Sequence, residues 1–326
     1  MKKFLALTVS MLGLFAAGSA QAFPQFAANY KEARDASGRI ACANCHLAAK
    51  ETEVELPQTI LPGQVFEAKI KVPYDDKVQE VYLDGSKGPL QVGAILIMPK
   101  GFRLAEGKEI PKELADKIEK GVLPSAAPIA EDKPYELLVG PHPGSELPDK
   151  EIVIPVKAPD PSVDKKVNFG KYSFYIGGNR GRGQVYPTGT PSNNSQYSAK
   201  SEGTIANIQK DVKVTLGEGE GATEYEKGAL VTIKTKDGKE DIEKIPPGPE
   251  LTVKVGDAVK VGDFLTTNPN VGGYGQAERD VVLQDPQRIV WLLVALGAAF
   301  VCQLLLVLKK KQVEKVQEYE AQQQGL

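Results

Sequence analysis

Histidine, cysteine and methionine are all scarce in this chain: its 326 residues include two His, three Cys and three Met. With so few thiols there is no disulfide framework, and a single closely spaced cysteine pair leaves no second pair to complete a zinc site. A strong excess of charge is lacking too. The formal net charge is −2, from 40 Lys and Arg against 42 Asp and Glu, and this mild acidity argues against nucleic acid as a partner. Long apolar runs are confined to the N-terminal stretch and one segment near the C-terminus. One span can anchor a chain but cannot enclose a pathway for ions. The length in between suffices for about two domains.

Residues 1–22 have the layout of a secretory signal peptide. Lys2 and Lys3 supply the positive start, Phe4 to Ala17 the apolar stretch, and Ala20-Gln21-Ala22 the small-residue cleavage site. The mature chain then begins at Phe23, on the far side of a membrane. Residues 289–308 carry no formal charge, and about 20 such residues can cross a bilayer core as a transmembrane helix. Lys309-Lys310-Lys311 follows at once, so the positive-inside tendency holds the tail, residues 309–326, on the cytoplasm-equivalent side. Within the span, Cys302 reads as a small buried thiol and Gln303 as a partner for a neighbouring helix.

Cys42-Ala43-Asn44-Cys45-His46 is the stretch that carries chemistry. Two thiols three positions apart share one helical turn, where each can add to one vinyl group of a porphyrin, with the adjacent histidine placed under the iron. The run reads as a covalent c-type haem attachment site through Cys42 and Cys45, with His46 as one axial ligand. A Cys-x-x-Cys pair also serves as a redox dithiol or as half of a zinc site. Export and the missing second pair favour haem.

The residues from Phe23 to Leu47 have a short helical pattern, with Phe23, Phe26 and Tyr30 as aromatics that can pack on a porphyrin. Beyond Leu56 the texture changes to period-two alternation. Val65 to Val72, Val78 to Leu83, Val92 to Met98, Tyr135 to Val139 and Glu151 to Val156 read as strands between Pro-Gly, Asp-Gly and Gly-Pro turns. Only Pro111 to Lys120 reads as an intervening helix, with Gly121 past its end. The fold class is therefore mainly β, with a large antiparallel sandwich over 23–191 and 268–288. A second unit, residues 192–267, is inserted in it. Its small strands and the repeat Lys254-Val255-Gly256-Asp257 and Lys260-Val261-Gly262-Asp263 suggest a small barrel or hybrid sandwich. Gly177-Gly178-Asn179-Arg180-Gly181-Arg182-Gly183-Gln184 is superficially like a dinucleotide loop, but no βαβ unit surrounds it. It reads as a tight turn carrying buried amides.

What fills the far side of the iron decides the function: two protein ligands leave electron transfer, while an open position invites oxygen or peroxide chemistry. Met98 ends an apolar run and reads as a core side chain. His142 sits in Pro141-His142-Pro143-Gly144 and reads as a solvated turn histidine. The third candidate is the α-amine of Phe23, released by signal cleavage; its reference pKa of about 8 lets it become a neutral nitrogen donor.

A set of spaced blocks then adds to this reading. Phe23-Pro24-Gln25-Phe26-Ala27, Gly38 to Ala48, Gly177 to Gln184, Pro246 to Leu251, Asn268 to Gly275, Leu283-Gln284-Asp285-Pro286 and Leu308 to Gln312 together resemble the cytochrome f family over essentially the whole chain. The resemblance implies the haem c subunit of the cytochrome b6f complex, in the thylakoid membrane, with its N-terminal bulk in the lumen and its C-terminus cytoplasmic or stromal. It implies no enzyme activity of its own. One electron would arrive from the Rieske iron-sulfur protein and leave to plastocyanin or cytochrome c6, with cytochrome b6 among the neighbouring subunits. It also implies iron held by His46 and the Phe23 amine, and a buried water chain lined by Asn179, Gln184 and Asn194, with one of Asn268 and Asn270. Glu80 stands where the family commonly has glutamine. Of the lysine patch of plant members Lys87 persists, beside Gln79 and Ser86, which implies weak or differently signed steering of the acceptor. The competing class is a haem enzyme or gas sensor with an exchangeable sixth ligand; a third reading is a structural anchor whose haem serves mainly to fold the N-terminal segment.

Overall fold

The structure is a computed structural model that describes residues 30, 32–120 and 126–324. The signal segment 1–22, Phe23, Phe26 and Gly121 lie outside the described residues. In chain order the first strands are β1 (Glu53–Glu55), β2 (Thr59–Ile60), β3 (Val65–Lys71), β4 (Gln79–Val81), β5 (Lys87–Pro89), β6 (Gln91–Ile97) and β7 (Arg103–Leu104). Helix α1 (Lys112–Lys120) follows, then β8 (Ala126–Pro128), β9 (Glu136–Pro143), β10 (Glu151–Lys157) and β11 (Gly170–Arg180). Next come β12 (Gly203–Lys210), β13 (Val214–Leu216), β14 (Thr223–Tyr225), β15 (Ala229–Thr235), β16 (Glu240–Ile245) and β17 (Ala258–Val259). The last two elements are β18 (Gly273–Leu283) and α2 (Pro286–Gln323).

Two sheets enclose the main core. One has the order β1-β3-β10-β7 and the other β2-β18-β11-β6-β9-β8. Strand β3 alternates strictly, turning Phe66, Ala68 and Ile70 inward, where they meet Ile152, Ile154 and Val156 of β10. The period-two pattern thus does what alternation does in a half-buried sheet. Phe66, Phe102 and Phe174 close the middle edge-to-face, at centroid separations of 5.0 to 6.4 Å.

Strand β6 is different, because nearly its whole length is buried. Val92, Ala94 and Leu96 face the main core, while Ile95 and Ile97 belong to a second apolar cluster with Ala33, Ile40 and Tyr274. The sheet is therefore covered on its outer face at this point, and the Cys42 segment is what covers it. An unbroken apolar run is the sequence mark of a strand buried on both faces.

After β11 the chain leaves the sandwich and builds a separate sheet, β16-β15-β12-β17, and the hairpin β13-β14. These carry their own core of Ile205, Val231, Ile233, Ile245, Val259 and Leu265. The Val-Gly-Asp repeat forms two alike turns: Asp257 Oδ2 accepts from Lys254 N at 2.7 Å and Asp263 Oδ2 from Lys260 N at 2.8 Å. The chain then returns as β18, antiparallel to β11 over its full length, from Gly170 opposite Leu283 to Arg180 opposite Gly273.

Helix α2 has 38 residues, opened by Pro286 and capped by Asp285, whose side chain accepts from Gln287 N. At 1.5 Å per residue it is about 57 Å long, against about 30 Å for a hydrocarbon core. It is long and apolar enough to cross a membrane, and no part of its apolar window is buried within the chain.

Several sequence expectations are corrected. Gly177 to Arg180 are not a turn but the last residues of β11, and the turn starts at Gly181. His142 is not in a solvated turn; it lies in β9 opposite Val92, half-buried. Cys302 and Gln303 lie on α2, where no other element of the described residues packs against them. The tail continues the helix to Gln323. Among the described residues before Leu47 the helical pattern amounts to a single 3-10 turn, Ala41–Asn44. Met98 is in the main core, 2% exposed, as expected.

Candidate functional site

The Cys42 segment enters its turn from an apolar anchor. Ile40 is 1% exposed in the outer cluster, its N–H donates to Gln276 Oε1 at 3.2 Å, and Gln276 Nε2 donates back to the Gly38 carbonyl at 2.8 Å. Ala41 N donates to Ala33 O at 2.8 Å, which closes the entry loop. The chain then winds once, with Cys45 N and His46 N both donating to the Cys42 carbonyl, at 3.2 and 3.0 Å. Cys42, Cys45 and His46 are thereby presented from a single turn, as their spacing requires. The exit is fixed to β18: Tyr274 N donates to Ala48 O at 2.8 Å and Lys50 N donates to Tyr274 O at 2.9 Å.

His46 packs towards β11. Asn179 Nδ2 lies 3.2 Å from His46 Nε2. With that amide donating, the neutral ring carries its proton on Nδ1, which is enclosed and has no partner. Asn179 can reach the ring because its register partner is Gly93, where a Cβ would stand 3.0 Å from Asn179 Oδ1 and 2.9 Å from the Val139 carbonyl. Burial pushes the His46 imidazole down to about 4 and the Cys42 thiol up to about 12, and raises the Cys45 thiol as well. At neutral pH the turn therefore presents two protonated thiols and a neutral imidazole.

A polar strap holds the turn from its other side. Gln184 N donates to Cys45 O at 2.7 Å, while the Gln184 side chain accepts from Leu47 N and donates to the Arg182 carbonyl, each at 2.8 Å. Asn194 Nδ2 donates to the same carbonyl at 2.7 Å and to Asn270 Oδ1 at 3.2 Å.

Two family descriptions match this chain: Apocytochrome F, N-terminal, over residues 23–181, and Apocytochrome F, C-terminal, over residues 193–323. A protein of Gloeobacter violaceus named Cytochrome f is 55% identical over 335 residues, covering 98% of this chain and 97% of its own. Proteins of the same name from Trichormus variabilis and Staurastrum punctulatum are 52% and 48% identical, covering 93% and 96% of this chain and 87% and 92% of theirs. The chain belongs to the cytochrome f family.

The residues of this cytochrome f family member fit a covalently attached porphyrin. Two thiols for thioether bonds and a neutral imidazole share one turn, and the surface beside them is the apolar cluster of Ile40, Ile95, Ile97 and Tyr274. Of the expected site residues, Cys42, Cys45, His46, Asn179 and Gln184 come together directly. Asn194 joins them one step out, through the Arg182 carbonyl, and of the asparagine pair it is Asn270 that touches it. Asn268 accepts from the backbone of Asn270. Phe23 lies outside the described residues.

Sequence reasoning missed Gln276 and Tyr274. Gln276 holds the Ile40 N–H and the Gly38 carbonyl, and the Tyr274 hydroxyl is enclosed near Cys42 without a partner. Their only signal was their place in the block Gly272-Gly273-Tyr274-Gly275-Gln276, which gave no reason to separate them from its glycines.

Proposed function

We propose that this chain is a membrane-anchored c-type cytochrome that carries single electrons within the cytochrome b6f complex. Cys42 and Cys45 would hold the porphyrin through thioether bonds, and His46 and the α-amine of Phe23 would be the nitrogen donors to its iron. When bound, the group supplies a reversible one-electron change between ferric and ferrous iron. The chain's residues supply the rest. The turn fixes the positions of the two sulfurs and the imidazole, Gln184 and Gln276 hold the turn against the sandwich, and the apolar cluster keeps water from one side of the site. Asn179, Gln184 and Asn194 offer the amide groups around which buried waters are held. The observation that carries the reading is the single turn that presents Cys42, Cys45 and a buried, neutral His46 together.

The route is from the Rieske iron-sulfur protein to plastocyanin or cytochrome c6, in the thylakoid membrane with the sandwich in the lumen; the family membership and the apolar helix α2 support it. The division into a haem-bearing unit, 23–191 with 268–288, and an inserted unit, 192–267, is supported by the two separate cores. Adding one residue before Phe23 in the processed chain tests the ligand set. The expected result is a changed visible spectrum of the extended variant, and no rapid carbon monoxide adduct on the reduced parent protein. An unchanged spectrum, or ready carbon monoxide binding by the parent, favours the gas sensor or haem enzyme instead.

A further inference from the structure

Glu80 is the most anomalous buried group outside the attachment turn. It is 1% exposed, and neither carboxylate oxygen has a hydrogen-bond partner. A buried carboxylate in that position is strongly disfavoured as an anion unless something neutralises it. The cation that acts on it is Arg182, whose Nη1 donates to Val81 O at 2.9 Å and to Asn193 Oδ1 at 2.6 Å and not to the carboxylate.

The surroundings of Glu80 hold little else that is charged. On the hairpin opposite, its register partner is Gly88, and Lys87 is exposed one position away. Asp84, in the turn of the same hairpin, is exposed and acts on Arg182 rather than on Glu80. From β6 and its approach come Leu90 and Gln91, and from the loop after β11 come Gly181 and Arg182. The nearby segment 192–194 contributes only neutral side chains. Burial pushes the carboxyl up to about 7; the backbone N–H groups of Gln91 and Arg182, which face it without closing a well-formed hydrogen bond, and the Arg182 charge pull the other way.

One short loop links this carboxyl to the attachment turn. Gly181 packs on the Glu80 carboxylate, and Gly183, two residues on, backs onto Cys45. Between them the Arg182 carbonyl accepts from Gln184, whose side chain holds the N–H of Leu47, next to His46. A change of charge at either end is felt at the other through a low-dielectric interior rather than through solvent.

Resting on the function proposed above, we propose that Glu80 is a proton-binding site linked to electron transfer. When a one-electron donor reduces the chain, the carboxylate takes one proton from solvent; when an acceptor removes the electron, the proton returns. The added electron makes the interior more negative, which favours the neutral acid, so proton affinity is greater in the reduced form.

The test compares the full-length haem-loaded protein with Glu80→Gln, which keeps the shape and removes the titration. Midpoint potential is recorded against pH, and infrared difference spectra between the oxidised and reduced forms are recorded in the carboxylic acid region. The expected result is a potential that falls with rising pH near neutrality in the parent, is flat over the same range in E80Q, and a protonated-carboxyl band on reduction that E80Q lacks. With haem attached, identical pH profiles in the two proteins, or the same band in both, overturn the inference alone. A chain that carries no haem overturns it together with the function on which it rests.

Discussion

Glu80 also makes a claim about stability that needs no electron transfer. Its carboxyl is raised from an ordinary 4.5 to about 7 in the folded chain, so the folded state holds a proton that the unfolded state gives up. The stabilisation is complete below about pH 4.5, falls as the unfolded chain ionises, and is gone once pH passes about 7. A shift of that size corresponds to about 3 kcal/mol. The thermal midpoint of the parent should therefore drop, relative to Glu80→Gln, as pH rises from about 4.5 to about 7.5, with the two curves parallel outside that window. A constant difference between the curves would mean that folding does not shift the Glu80 carboxyl. Sequence alone marked Glu80 only as a carboxylate in place of an amide; burial in a two-residue approach between β6 and the loop after β11 is what gives it a charge state to contest.

Between elements, the decisive contact is the strand β18 against the segment that leaves the attachment turn. A Cβ at Gly275 would stand 2.7 Å from Thr52 Oγ1 and 3.0 Å from Thr52 N, and would also collide with the Lys50 carbonyl. Backbone atoms cannot swing aside as a side chain can, so Gly275→Ala should cost about 3 kcal/mol. It should also loosen the turn, which hydrogen exchange at the Lys50 and Tyr274 amides would register as faster exchange. Unchanged exchange and an unchanged thermal midpoint would show that the segment does not rest on β18. The same crowding explains why the glycine-rich stretch of β11 was misread. Gly177 and Gly178 carry no side chain to alternate, so the sequence shows no strand period; they are small because Tyr274 lies over the first and Thr52 over the second. His142 was misread for a related reason: its Pro and Gly neighbours signal a turn, but cross-strand pairing with Gln91 and Val92 keeps the segment in β9. Alternating strands such as β3, by contrast, were legible because one face of each is wet.

For the molecule as a whole, the two cores and the apolar helix were legible from composition and pattern, since each depends on runs of residues rather than on one contact. The single turn that carries Cys42, Cys45 and His46 was legible because its spacing is itself the geometry. The polar contacts to the turn were legible only through resemblance: Asn179 and Gln184 stand 133 and 137 residues from the His46 and Leu47 they meet, and no local period brings such positions to one place. All of this architecture converges on the claim that Cys42 and Cys45 are covalently occupied in the mature protein. The most direct test is mass spectrometry of the protein isolated from its native membrane, digested without reduction. The account predicts a peptide spanning Cys42 to His46 heavier by one haem, together with a free α-amine on Phe23. A Cys42–Cys45 peptide of unmodified mass, with both thiols open to alkylation, would contradict it.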